Sequence, residues 1–188
     1  MKTMRPAVSR TRLYSYLVTR PTGRAVRLGI QDRLAEFESS VLTVLDFREV
    51  ALIDFSCADE VVVKLVLQSA LEATPATRRF FLFSGVNECH RAPIDSALRR
   101  RSLAVAAEDV EGHPVLLGAV DALSSRAWYE VCRAGRAAAA PVARTLGIEV
   151  ARASHLLDGL VNRALLLAEA ERYVSFRCAL AEDSAPRQ

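Results

Sequence analysis

No two of the four cysteines, at 57, 89, 132 and 178, are spaced C-x-x-C, so neither a zinc site nor a disulfide framework is indicated. The three histidines, at 90, 113 and 155, are equally dispersed and show no metal-ligand spacing. Neither G-x-G-x-x-G nor G-x-x-x-x-G-K-[ST] occurs, which removes the usual glycine-rich phosphate cradles. No metal and no cofactor is therefore expected. No apolar run approaches the roughly 20 residues that span a bilayer, and the N-terminus lacks the compact apolar stretch of a secretory signal. Its Arg-rich, acid-poor start has the composition of a transit peptide, but "LYSYLV" (13–18) reads better as a strand. A reduced, cytoplasmic protein with no membrane partner is the expectation.

Of the 188 residues, 51% are apolar, enough for one domain or two small ones with a real core. A net charge of +3 does not force a nucleic-acid partner. Its distribution is more informative, because Lys2, Arg5, Arg10, Arg12, Arg20, Arg24 and Arg27 all precede the first acid, Asp32. Such an arm either touches phosphates or is a solvated terminus.

Up to about residue 120 strand and helix patterns alternate. Strands are expected at 13–18, 41–47, 79–85, 102–108 and 113–120, the last two joined by the turn-forming "DVEG". Helices are expected at 23–38, from about 56 to 73, and at 87–100, where Pro93 obscures the start. In the second helix Glu60, Lys64, Gln68 and Glu72 form a polar stripe at four-residue spacing. The pattern implies helices layered on a mixed sheet, an α/β domain over 12–120. From 121 to 180 the order becomes helix, helix-turn-helix and hairpin. A helix at 121–135, capped by Ser124 or Ser125, precedes a helix ending at Leu146-Gly147-Ile148. A helix over 149–163 and two strands within 165–178 follow, and "AEDSAPRQ" reads as a loose tail.

The stretch "VLTVLDFREVALIDFSCADEVVVKLV" (41–66) resembles STAS-type domains, the fold of bacterial anti-sigma-factor antagonists, in their divergent STAS-like branch. The resemblance covers 12–120. It implies a domain that binds a protein partner, such as a kinase-type ATPase, through the helix head at Asp54, Ser56, Asp59 and Glu60. Switchable members of that family carry a phosphorylated hydroxyl directly after the aspartate. Here Phe55 follows Asp54, and Cys57 replaces the usual glycine. Ser56 stands one place late, so it is read as a helix cap, with Asp59 as its capping-box partner, in preference to a phosphosite.

"LGIEVARASHLLDGLVNRALLL" (146–167) is similar to the turn, recognition helix and first wing strand of MarR-like winged helix-turn-helix domains. That resemblance places Arg152 and His155 toward a DNA major groove, Ser154 and Asn162 within reach of a phosphate or base, and Arg172 on the wing. Against DNA, residues 121–188 hold nine arginines and eight acids, and Glu149 and Asp158 lie on or beside the same face. Ala164 stands where the family commonly has glycine.

The fold class expected is thus an α/β STAS-like layered domain with a mixed sheet, followed by a C-terminal winged helix. The function expected is non-catalytic: a partner-binding domain coupled to a DNA-binding winged helix in transcriptional regulation. The alternative is an adaptor whose winged helix docks or dimerises. The apolar run at 61–67 would suit burial, a partner or a second copy of the chain, so a homodimer is allowed. An enzyme is the rival class, resting on the adjacent Cys89-His90. Neighbours on a helix diverge by ~100°, which sets their side chains apart. The paired carboxylates Asp59-Glu60 and Glu108-Asp109 read as helix-start and turn residues. Trp128 and Tyr129 read as core anchors between the two halves.

Overall fold

The computed structural model describes residues 5–74 and 76–183, so Lys2 of the basic arm and the end of the tail lie outside the described residues. The chain falls into two compact units, one comprising Pro6–Ala119 and the other beginning at Val120. It is an α/β protein with a mixed five-stranded sheet.

In the first unit the sheet contains β1 (Ala7–Arg12), β3 (Val41–Asp46), β5 (Arg79–Val86), β6 (Ala104–Asp109) and β7 (Pro114–Gly118), in that spatial order. The first four run parallel and β7 returns antiparallel on β6. A separate parallel pair is formed by β2 (Tyr16–Leu17) and β4 (Leu52–Ile53). The helices are α1 (Arg20–Ala35), α2 (Phe55–Ala58) and α3 (Lys64–Leu71), the last two joined by a π-helical turn at Asp59–Val63, and α4 (Glu88–Arg99). The packing of α1 and α4 against the α2–α3 segment gathers these helices on one face of the sheet, as sequentially ordered parallel strands with the usual right-handed connections require. The core between the layers joins Val41, Leu45, Phe81, Phe83 and Val105 to Ile30, Val61, Leu65, Ile94 and Leu98. All of Val41–Leu45 is buried, Thr43 included, as its almost wholly apolar run suggested.

Several boundaries differ from the sequence expectations. The strand expected at 13–18 shrinks to Tyr16–Leu17, and the edge strand is instead β1, inside the basic arm. Its "AVSRTR" has weak strand character and becomes a strand by pairing residue for residue with β3. The cap of α2 is Asp54, not Ser56. In α4 the start is fixed at Glu88 by a reciprocal cap between Asn87 and His90, and the helix continues through Pro93. The apolar 61–67 surface is not left for a second copy: Val61, Val62, Val63 and Leu65 lie in this unit's own core, with Val66 and Leu67 packed against it.

The second unit comprises α5 (Ala122–Ala134), β8 (Arg136–Ala137), α6 (Ala139–Leu146), α7 (Val150–Asn162), β9 (Leu167–Glu169), β10 (Arg172–Val174) and α8 (Phe176–Asp183). Here β10 lies between β8 and β9, antiparallel to both. Asp121 caps α5, so the serines at 124 and 125 do not. Gly147, at φ 68° and ψ 39°, takes the left-handed conformation that ends α6. Ala164 also adopts a left-handed φ of 55°, a conformation that glycine takes at less cost than alanine. Residues 176–183, expected to be the end of a strand and the start of a loose tail, form the helix α8, whose first turn is capped by the Ser175 hydroxyl accepting from the Cys178 N–H at 3.3 Å.

Gly23 of α1 sits directly on the start of the second crossover helix. A Cβ there would lie 2.9 Å from Glu60 Cβ and 3.0 Å from Cys57 Sγ, whereas one at Gly29 of the same helix meets nothing within 4 Å. Gly23→Ala should therefore destabilise the protein by about 1–3 kcal/mol through overpacking. Gly29→Ala should stabilise it by about 0.5–1 kcal/mol through helix propensity. Urea unfolding of both variants checks the opposite signs.

Candidate partner surface and candidate nucleic-acid interface

At the head of α2 the Asp54 carboxylate does the capping. Its Oδ1 accepts the Cys57 N–H at 2.7 Å and the Ser56 hydroxyl at 2.9 Å. Ser56 is half-buried and its hydroxyl already donates to this carboxylate. The Cys57 thiol donates to the Thr19 carbonyl at 3.1 Å, and burial pushes its pKa up, with Asp54 adding to the effect. Thr19 itself caps α1 at an unusual φ of 112°. Beside the ring of Phe55 stands the Arg100 guanidinium, 4.9 Å from the centroid.

Glu60 does not lie on an exposed stripe. It is 3% exposed and surrounded by cations: Arg20 Nη1 at 3.1 Å, Arg27 Nε at 3.8 Å, and Lys64, which donates directly to it. Burial alone would raise its pKa, but Lys64, Arg20 and Arg27 together hold it below the ordinary value. Of the four acids and hydroxyls expected at this head, Asp54, Ser56 and Asp59 remain half-exposed, with Asp59 paired to Arg20 at 3.3 Å, and Glu60 is withdrawn into the interior. Farther along, Arg27, Gln31, Gln68 and Glu72 continue a hydrogen-bonded ladder between α1 and α3.

The basic arm is largely spoken for. Arg12 pairs with Glu49, Arg20 with Asp59 and Glu60, and Arg27 with Glu60; Arg5, which groups with the second unit, pairs with Glu182. Arg10 and Arg24 are exposed. Cys89 and His90 do not meet. Cys89 is exposed, while the buried His90 accepts the Asn87 N–H at Nδ1 and makes its Nε2 bond to the Val50 carbonyl at 2.7 Å. That carbonyl can only accept, so the hydrogen sits on Nε2 and the ring is neutral. The ligand atoms of Asp109, Glu111 and His113 lie within 4.8 Å of one another on the β6–β7 turn. Asp109 there accepts the N–H groups of Glu111 and His113, the bonding of a turn-forming aspartate.

In the second unit α7 presents Arg152 and His155 to solvent, three residues apart on one face. Arg144, in the last turn of α6, joins Arg152 in lining an open concavity with Gly147, Ile148 and Glu149. Neither arginine is in an ion pair among the described residues. Arg144 was missed in the sequence, although an exposed base beside the turn glycine was available as a signal. Asn162 is exposed at the end of α7, and Arg172 is exposed on β10. Ser154 departs from its expected role: its hydroxyl is 3.3 Å from that of Tyr173, so it faces β10. Tyr173 also donates to Asp158 at 2.8 Å, and burial pushes the phenol's pKa up. Trp128 is an anchor within this unit, donating to the Leu165 carbonyl at 3.0 Å.

Burial pushes the His90 imidazole below its ordinary 6.5, so the unfolded chain binds a proton that the folded chain refuses. His90's contribution to stability is complete above pH 6.5 and declines as pH falls below it. Glu60, held below its ordinary 4.5, adds a second loss under that pH. Denaturation midpoints measured from about pH 8 down to about pH 4 should fall in both windows. A flat profile above pH 5 would contradict the neutral, buried His90.

No protein-family model matches the chain and no curated protein matches it in sequence, so its function is argued from the residues described above.

Proposed function

We propose that the second unit is a winged helix-turn-helix and that the chain is a non-catalytic, DNA-binding regulator of transcription. The observation that carries the reading is α7, which follows the left-handed Gly147 turn from α6 and is flanked by the antiparallel β9–β10 pair. On its outer face stand Arg152 and His155. The order helix, short strand, helix, helix, strand, strand, with the short strand completing a three-stranded sheet, supports a winged helix in particular. Arg152 and His155 read base edges in this proposal, with Arg144 and Arg172 on phosphates to either side. Glu149 at the start of α7 opposes phosphate, which calls for modest affinity and sequence-selected sites.

In the same proposal the first unit is a STAS-like partner-binding domain. The half-exposed Asp54, Ser56 and Asp59 at the head of α2, next to the arginine-covered Phe55, support a docking surface for a protein such as a kinase-type ATPase. Ser56 contributes as a hydrogen-bonded surface group and not as a phosphosite.

A labelled genomic-fragment pool should be bound by the intact protein with an affinity that falls steeply with salt. Arg152→Ala/His155→Ala should bind about tenfold or more weakly, with loss of the enriched sequences. Binding absent from both proteins would retire the DNA reading in favour of an adaptor whose second unit docks or dimerises. For the first unit, a photo-crosslinking residue at Ser56 should trap one discrete protein in cells, and no adduct there would remove the docking surface.

A further inference from the structure

The polar seam between α7 and β10 is the least expected feature of the second unit. Tyr173 is the middle residue of the central strand, paired with Ala137 on one side and Ala168 on the other. The residue is 8% exposed, yet its hydroxyl reaches α7 and meets two side chains one helical turn apart. It donates to Asp158 Oδ1 at 2.8 Å and lies 3.3 Å from Ser154 Oγ. A carboxylate cannot donate, so the tyrosine hydrogen goes to Asp158 and the serine hydroxyl donates to Tyr173. The chain Ser154 to Tyr173 to Asp158 ends on the one acid within α7, on the helix that also carries Arg152 and His155.

One effect follows from this bonding. Asp158 is an exposed residue on the flank of the face that carries Arg152 and His155, and the charge-assisted bond at Oδ1 directs its carboxylate toward the sheet. An untethered carboxylate on this helix would be free to face an approaching phosphate and repel it.

We infer that Tyr173 is a positioning residue for DNA binding, whose hydroxyl holds the Asp158 carboxylate toward the sheet and limits its reach toward phosphates met by Arg152 and His155. This rests on the DNA-binding reading of the second unit. The residue touches no DNA itself; it acts through Asp158.

The test uses the full-length protein and a fluorescein-labelled mixed-sequence duplex of about 25 bp, followed by anisotropy at moderate salt. Tyr173→Phe, which keeps the ring and removes only the hydroxyl, should bind about five- to tenfold more weakly. Tyr173→Phe/Asp158→Asn should recover affinity to within about twofold of the unsubstituted protein, because the amide carries no charge to repel phosphate. The deficit of Tyr173→Phe should also shrink as salt is raised. A purely structural role for Tyr173 would leave the double variant as weak as the single one, and that result overturns the inference. So does unchanged affinity in Tyr173→Phe. Absence of duplex binding by the unsubstituted protein would instead bring down the DNA reading itself, and this inference with it. Circular dichroism melting of each variant establishes that folded proteins are being compared.

Discussion

A carboxylate buried among cations organises the first unit. Glu60 is nearly inaccessible, and an isolated ionised carboxylate in such a place would be costly. Arg20, Arg27 and Lys64 compensate it from α1 and from the next turn of its own helix. Arg20 and Lys64 are half-exposed and screened, whereas Arg27 is 14% exposed, so it supplies the least-screened contact. The arrangement works only if α1 comes very close to the head of the crossover helix. Gly23 provides that approach, and the π-helical turn at Asp59–Val63 sets Glu60 beneath it. Burial of the three following valines and of Leu65 locks the same helix onto the sheet. The half-exposed head at Asp54–Ser56 is thus mounted on a rigid base.

The second unit is held by ties of a different kind. Its inner contacts are mostly neutral hydrogen bonds, such as Trp128 to the Leu165 carbonyl and Ser175 to the Gly135 carbonyl. Its main ionic cluster, Arg136 with Glu169 and Glu182, joins β8, β9 and α8. The arginines of α6 and α7 take no part in that cluster. They therefore keep their charge available for an external anion, in contrast with the arginines of the N-terminal arm, most of which are consumed by acids of the same chain.

How far the sequence revealed this depended on whether a feature was local or tertiary. Nearly continuous apolar stretches such as 41–45, broken only by Thr43, and 80–83 marked sheet strands because each residue is buried on its own account. Gly147 marked the turn before α7 because the backbone conformation there demands it. Ala7–Arg12 was hidden because its composition is that of a polar terminus and only its pairing with β3 makes it a strand. Glu60 was misplaced because helical spacing put it on a solvent stripe, while the compensating Arg20 and Arg27 are some 40 and 33 positions earlier in the chain. The Tyr173 seam left no trace in sequence, since nothing in the spacing of 154, 158 and 173 joins a strand residue to a helix face. The helix α8 did have a signal in Ser175, a capping residue placed just before it.

The edges of the five-stranded sheet acquire significance from the placement of β1. It has a neighbour on one side only, as does β7 at the opposite edge. An open strand edge is a template on which another chain can add its own backbone. β1 carries exposed Arg10 and Arg12 at alternate positions, and β7 begins at Pro114, which has no N–H to offer. Both edges are thereby made poor substrates for strand addition. The polar N-terminal segment thus closes the sheet with arginines along its outer edge, a composition that discourages strand addition there.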